Sequence, residues 1–540
     1  MITDFDPVYN PYPSVRFPVY AREGMVATSS PQASSAGLEA LRQGGNAIDA
    51  AIAAAATLTV TEPCSNGIGS DAFAIIFSGG KLHGLNASGK APLNISIEKL
   101  KNTAGDPQKM PQFGWAPTMV PGAPKAWARL AERFGRLPLK KSMEMAIHYA
   151  NEGYPLAATI SQFFTKTAER YRSLGGEKIV FEEWFKTFMP WGDTPKAGDI
   201  LVLKNHAESL AAIAETNSDA FYRGELADRI VADSNELGGY FCKEDFSSYD
   251  AEWVEPVSVN YRGYDVWEIP PNGQGVAALA ALNILKELKL NSRDDPGTFH
   301  KQWEAMKKAY SDILAHVTDI RYMKEDFREW LDPEYGKKRA AEINEWASLP
   351  LPINPPRSGT VYLATADGEG NMVSYIQSNY MGFGSGVVIR GTGIALQNRG
   401  ADFSLDSKAA NALAPGKKSY HTIIPGFLTR GGKAVGPFGV MGGYMQPQGH
   451  VQVVCNMIDF GLNPQQALDA PRWQWIEGRK FQVEPGFGSE TARALARRGH
   501  DVSVSLQTSN FGRGQIILRQ DNGILVGATE GRTDSNIACM

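Results

Sequence analysis

The sequence predicts an α/β protein built as a sandwich of sheets with helices outside, and three observations predict it. Helix-like and strand-like windows are mixed along the 540 residues. The stretch from Pro121 to Leu237 is mostly helical in pattern. From Thr360 onward, short strand-like runs become dense.

In order, Gly24–Ser30 reads as a strand ending in a cap, and Pro31 suits the first turn of a helix that runs to Arg42 and stops at Gly44-Gly45. Asn46 caps a second helix, from Ala47 to about Thr59, whose small side chains all round call for close packing. A glycine-bearing loop, Cys64 to Asp71, precedes a hairpin of 72–77 and 81–86. That loop follows a helix and lacks Gly-Lys-Ser/Thr, so it is neither a P-loop nor a dinucleotide fingerprint. Helices are expected at 123–134, 141–152, 206–215 and 220–237, with an aromatic patch from Trp184 to Trp191 packing between helices. Strands 257–259 and 264–269 precede helices 276–288 and 298–317, and a polar segment then runs to about Leu349. After the proline-rich break Leu349–Pro356, strands 361–366 and 372–377 flank the turn Asp367–Asn371. Further strands are expected at 387–390, 393–397, 423–428, 433–436, 515–519 and 524–528, and helices at 448–458, 464–470 and 490–498.

Composition narrows the function classes. With 43% hydrophobic and 21% charged residues the chain can bury a large core, in more than one lobe. A net charge of -4 does not suit a nucleic-acid or anionic-membrane binder. The most apolar window, 47–60, is too short and alanine-rich to span a bilayer. The opening residues show no basic-then-apolar signal, which points to the cytoplasm. Cys64, Cys242, Cys455 and Cys539 form no CxxC pair and read as buried or idle thiols. The eight histidines are scattered without paired ligand spacing, and His421 alone is a candidate to line a pocket.

The candidate chemistry sits at Gly359-Thr360. A threonine freed as a new N-terminus carries its own base, an α-amine with a pKa of about 8 beside its own hydroxyl. The same pair also suits the plain opening of a hairpin.

Taken together, Gly24-Met-Val-Ala27, Gly44–Ala51, Ser65–Asp71, Lys90-Ala-Pro92, Thr360–Asp367, Phe383–Gly386, Asp402-Phe-Ser404, Gly442-Gly443, Asp459–Leu462 and Ala470-Pro-Arg472 resemble the motifs of the γ-glutamyltransferase family, in the right order along nearly the whole chain. The resemblance implies an N-terminal-nucleophile hydrolase with an αββα sandwich. It implies one precursor cut at Gly359-Thr360 into a large subunit, 1–359, and a small subunit, 360–540, with assembly, such as a dimer of these units, left open. Thr360 is then the residue that cuts and the later nucleophile on γ-glutamyl amides. The N–H groups of Gly442 and Gly443 form the oxyanion hole, as two glycines before a helix suit. Asn379, Asp402, Ser419 and Tyr420 fall at substrate-contacting positions, and Asp402 receives the α-amino group. No metal or organic cofactor is called for, and the partner is a small acyl amide.

The chain departs from the family pattern around the acyl pocket. Ser88 stands where the carboxylate-clamping arginine is usual, Arg399 replaces a neutral or acidic side chain, and Tyr420 replaces a serine. The segment from Asp402 to Ser419 is short, which predicts a reduced lid. Lys90 or Arg399 is the expected replacement cation, Lys90 as a point charge rather than a fork. A glutaryl-type acylase, and an unprocessed binding member, stand as alternatives.

Overall fold

Asn46 opens a helix that is buried from end to end. Its side chain accepts from the N–H groups of Ile48 and Asp49, and the Asp49 carboxylate accepts from the Asn46 N–H in return, a capping box that opens Ala47–Thr61. The helix is buried along its whole length. Small side chains allow this: at Gly37, on the neighbouring helix Pro31–Arg42, a Cβ would stand 3.0 Å from the Ala50 carbonyl. The helix is also tied to the strand Gly359–Asp367, since Ala47 N–H donates to Asp367 Oδ2 at 3.0 Å and Thr365 Oγ1 donates to the Ala47 carbonyl at 2.7 Å.

The computed structural model describes residues 16–104, 107–174, 178–190, 192, 195–350 and 359–540. Two seven-stranded antiparallel sheets face each other. In the first, the strands lie side by side as Asn536–Cys539, Gly24–Thr28, Gly359–Asp367, Met372–Tyr380, Asp71–Ser78, Lys81–Ala87 and Glu252–Val254. In the second the order is Val19–Ala21, Leu525–Thr529, Arg513–Arg519, Lys433–Met441, Gly426–Arg430, Tyr264–Glu268 and Val257–Tyr261. Phe73, Tyr362 and Ile376 from the first sheet meet Phe427, Met441 and Ile517 from the second in an apolar middle layer. Helix Ala47–Thr61 covers the first sheet, Gly275–Leu285 and Gln446–Ile458 cover the second, and Pro296–Leu314 packs on Gly275–Leu285 from outside. This is a four-layer αββα sandwich.

Strands from before and after the Gly359-Thr360 bond interleave in both sheets. The chain therefore does not fold as one lobe on each side of that bond; a cut there would leave two pieces sharing the same sheets.

The expected helices are present with shifts at their ends. The helix predicted over 220–237 is divided by Gly224 into Asp219–Tyr222 and Glu225–Glu236. The polar segment before Leu349 contains Pro333–Ala341, opened by the Asp332 side chain on Glu334 N–H. The strands predicted at 387–390 and 393–397 shrink to the short pair Val388–Ile389 and Ile394–Ala395. A three-stranded sheet of Trp473–Glu477, Lys480–Val483 and Asp501–Val504 has no counterpart in the sequence reading. Trp184 packs edge-on against Tyr171 and Phe383 in the core between helices, as expected; Trp191, Ser358 and residues 351–356 of the proline-rich break lie outside the described residues. All four cysteines are free, with Cys64 and Cys455 buried.

Candidate active site

The strand Gly359–Asp367 is regular except at its start. Gly359 pairs with Tyr380 and Val361 with Gln377, so the register shifts across Thr360 and a bulge falls on the residue of interest. Thr360 is fully buried there. Its hydroxyl donates to the Gly359 carbonyl oxygen at 2.7 Å. Ser378 Oγ donates to that same oxygen at 2.8 Å and lies 3.0 Å from Thr360 Oγ1. Ser378 is held in turn by the Tyr380 N–H, at 2.8 Å. Two hydroxyls thus meet on the oxygen of one peptide bond, which polarises its carbonyl, while Ser378 Oγ stands within reach of the Thr360 proton.

Gly442 and Gly443 follow the strand Lys433–Met441 and precede the helix Gln446–Ile458. Their φ values are 141° and 62°, a region L-residues rarely enter, and a Cβ on Gly442 would stand 3.1 Å from Gly512 Cα. Gln274 Nε2 donates to the Gly443 carbonyl at 2.8 Å and fixes this turn. Gly359, Gly442, Tyr444, Ser65, Arg513 and Phe383 all line one cavity of about 270 Å³.

Arg513 was not anticipated from the sequence. It is buried and paired with Glu62 at 2.9 Å, and its other nitrogen reaches Ser65 Oγ at 3.4 Å and the Thr360 carbonyl at 3.5 Å. Glu62 also accepts from Ser29 Oγ and Ser65 Oγ, at 2.5 and 2.7 Å. Cys64 lines the same cavity, but burial pushes its thiol up to about 12, so it is no thiolate nucleophile.

The second cluster contains Asp402 and Arg399. Arg399 Nη1 donates to Thr422 Oγ1 at 2.7 Å and reaches Asp402 Oδ2 at 3.4 Å. Its guanidinium lies 3.9 Å from the centre of the Tyr380 ring, and its Nε and Nη2 are buried with no hydrogen-bond partner among the described residues. Asp402 Oδ1 accepts from the Tyr380 hydroxyl at 2.5 Å and from the Tyr444 hydroxyl at 3.4 Å. Burial pushes the Asp402 acid up to about 6, and Arg399 with the tyrosine hydrogen bonds pulls against that rise.

The other expected residues are placed as follows. Asn379 is turned away from this cluster, because alternate strand residues face opposite sides: Ser378 and Tyr380 meet Thr360 and Asp402, while Asn379 Oδ1 accepts from Ser70 Oγ at 2.8 Å. Ser419 Oγ accepts from Asn411 Nδ2 at 3.3 Å, and Asn411 Nδ2 also donates to the Asp402 carbonyl at 2.8 Å. The Tyr420 hydroxyl goes to Gln274 Oε1 at 2.9 Å, and its ring stacks on Tyr444. Ser88 is buried and donates to Asn86 Oδ1 at 2.7 Å. Among the hydrogen bonds and ion pairs of the described residues, none joins Lys90 to Arg399 or Asp402. His421 is not among the residues lining the cavity; its Nε2 lies 3.0 Å from Asp71 Oδ2, and burial disfavours its charged form.

The fold also brings together His300 and His500, 2.9 Å apart, beside Glu304. Glu304 is paired with Lys307 at 2.6 Å, so an ammonium already neutralises the carboxylate a cation would need. Among the described residues no helix is long and apolar enough to cross a membrane.

Comparison with known proteins places the sequence and the fold. Residues 33–540 match the family model described as gamma-glutamyltranspeptidase. The chain is 36% identical to the glutathione hydrolase-like YwrD proenzyme of Bacillus subtilis (strain 168), over 96% of this chain and 98% of that protein. It is 33% identical to the oxamate amidohydrolase proenzyme of Klebsiella pneumoniae subsp. pneumoniae, over 95% and 98% of the two chains. The crystal structure of cephalosporin acylase from Bacillus halodurans superposes with a TM-score of 0.95 at 55% identity, covering 99% of each chain. The αββα sandwich is accordingly that of the N-terminal-nucleophile hydrolases. By the match of its sequence over 33–540 and of its fold over nearly its whole length, this chain belongs to the γ-glutamyltranspeptidase family.

Proposed function

We propose that the chain cuts itself between Gly359 and Thr360, giving a large subunit 1–359 and a small subunit 360–540, and then hydrolyses amides of a carboxylate-bearing acyl group, γ-glutamyl amides first among them. The observation that carries this is the pair of hydroxyls, Thr360 and Ser378, on the Gly359 carbonyl oxygen at 2.7 and 2.8 Å. Thr360 Oγ attacks the Gly359 carbonyl carbon and gives up its proton, the C–N bond breaks with that proton ending on the departing Thr360 nitrogen, and the acyl group passes from nitrogen to oxygen. Water opens that ester, leaving a Gly359 carboxylate and a free Thr360 α-amine. In turnover the α-amine takes the hydroxyl proton as Oγ attacks the substrate carbonyl, and returns it to the leaving amine. The N–H groups of Gly442 and Gly443 stabilise the oxyanion. Water or an acceptor amine then releases the acyl group from Thr360.

Arg399 serves as the carboxylate clamp in place of the family arginine, which its unpartnered Nε and Nη2 favour. Asp402 is the acceptor for an α-ammonium. Asn379, Ser419 and Tyr420 shape the site through their neighbours, and Lys90 completes its charge from a greater distance. A second reading, an acylase for glutaryl-type amides, is favoured by the Tyr380 hydroxyl already bonded to Asp402.

The test is a denaturing gel with fragment masses, followed by a panel of γ-glutamyl and glutaryl anilides, each with and without glycylglycine. Two fragments beginning at Met1 and Thr360, together with anilide turnover, are expected. A single intact inert chain would refute the proposal and favour a binding role.

A further inference from the structure

Tyr380 stands at the meeting point of the two clusters. Its backbone pairs with Gly359, its N–H holds Ser378, its ring lies under the Arg399 guanidinium, and its hydroxyl donates to Asp402 at 2.5 Å. It is fully buried and adopts φ 76°, unusual for a bulky non-glycine residue. The surrounding contacts hold it in this conformation, which aims the ring between Arg399 and Asp402. Asn379, the residue before it, turns the other way and meets Ser70.

We propose that Tyr380 is a specificity-determining residue that competes with a substrate ammonium for Asp402. This deepens the function proposed above and rests on it. A carboxylate has a limited set of acceptor sites, and Asp402 already serves the Tyr380 hydroxyl on one oxygen and Arg399 on the other, with Tyr444 as a second donor to the first. An α-ammonium entering the site must displace the phenol, and the gain from its charge-assisted bond is offset by the lost one. An acyl group with a terminal carboxylate and no ammonium needs no such exchange: it meets Arg399, whose Nε and Nη2 have no partner among the described residues, and leaves the phenol in place. The enzyme therefore accepts amides of dicarboxylic acids with and without an α-amino group about equally.

Two measurements test this. In the first, kcat/KM for γ-glutamyl and glutaryl anilides is compared in the split wild type and in Tyr380→Phe, which keeps the ring and its stacking on Arg399 but removes the competing hydroxyl. The γ-glutamyl to glutaryl ratio is expected to rise about tenfold in Tyr380→Phe, the scale of one hydrogen bond to a charged group. It is expected to fall back when Asp402→Asn is added. The second uses calorimetry on the wild type alone, so it stands even if the variant does not split: L-glutamate and glutarate should bind within about threefold of one another. An unchanged ratio in Tyr380→Phe, or L-glutamate bound at least tenfold tighter than glutarate by the wild type, overturns the inference while leaving the amidohydrolase reading in place. A split wild type that turns over neither anilide overturns both.

Discussion

Ser378 Oγ lies 3.0 Å from Thr360 Oγ1, and both hydroxyls converge on the Gly359 carbonyl oxygen. A serine two strand positions before Tyr380 thus shares the environment of the threonine eighteen residues upstream, because the two strands pair across the bulge at Thr360.

This relationship predicts the behaviour of Ser378→Ala. Self-cutting should slow by about 10- to 100-fold, the range for losing a positioned proton-transfer group. A gel time course after rapid purification reads the rate. Splitting at the wild-type rate would show that Ser378 only packs.

Thr360→Ala should abolish both cutting and amide turnover, and Thr360→Ser should retain both at reduced rate, because only the hydroxyl is chemically required. Fragment masses and anilide assays distinguish the two variants. Two fragments from Thr360→Ala would remove the nucleophile from this mechanism.

Gly442→Ala should lower kcat by about 10²- to 10³-fold, the cost of disturbing one oxyanion donor. The added Cβ meets Gly512 Cα at 3.1 Å, and the φ of 141° disfavours alanine, so the turn must shift. A change in KM alone would place Gly442 outside the oxyanion hole.

Glu62→Gln should lower stability by about 3–5 kcal/mol, since it strands the buried Arg513 guanidinium that the carboxylate neutralises. Urea denaturation measures the loss. The same variant should loosen Arg513 from the Thr360 carbonyl and slow cutting.

Asp402 predicts a pH effect on stability. Its acid is raised in the fold to about 6 from an ordinary 3.8, chiefly by burial. A group raised on folding favours the fold fully below its unfolded value, and that contribution is lost as pH rises through the folded value. Relative to Asp402→Asn, the wild type should therefore lose up to about 3 kcal/mol between about pH 4 and pH 7. Paired denaturation curves at both pH values check this; parallel losses in the two proteins would assign the effect elsewhere.

Much of the molecule was legible in the sequence for local reasons. Asn46 before an alanine-rich run, Pro31 at a first turn and Gly442-Gly443 before a helix encode their conformations within a few residues. Gly359-Thr360 stands at the head of a strand, which local pattern reads equally as a hairpin opening; the family resemblance is what marked it as a cleavage candidate. What the sequence alone could not decide were partnerships between distant positions. Ser378 reaches Thr360 only through strand register, Arg513 arrives from the other sheet, and Gln274 reaches Gly443 across a long separation. Likewise, whether Asn379 or Tyr380 faces the acyl cluster depends on which side of one strand is turned inward, and a single-residue step there reverses the answer. The chain's own order determined the elements and the candidate nucleophile; packing of two sheets face to face decided which side chains surround it.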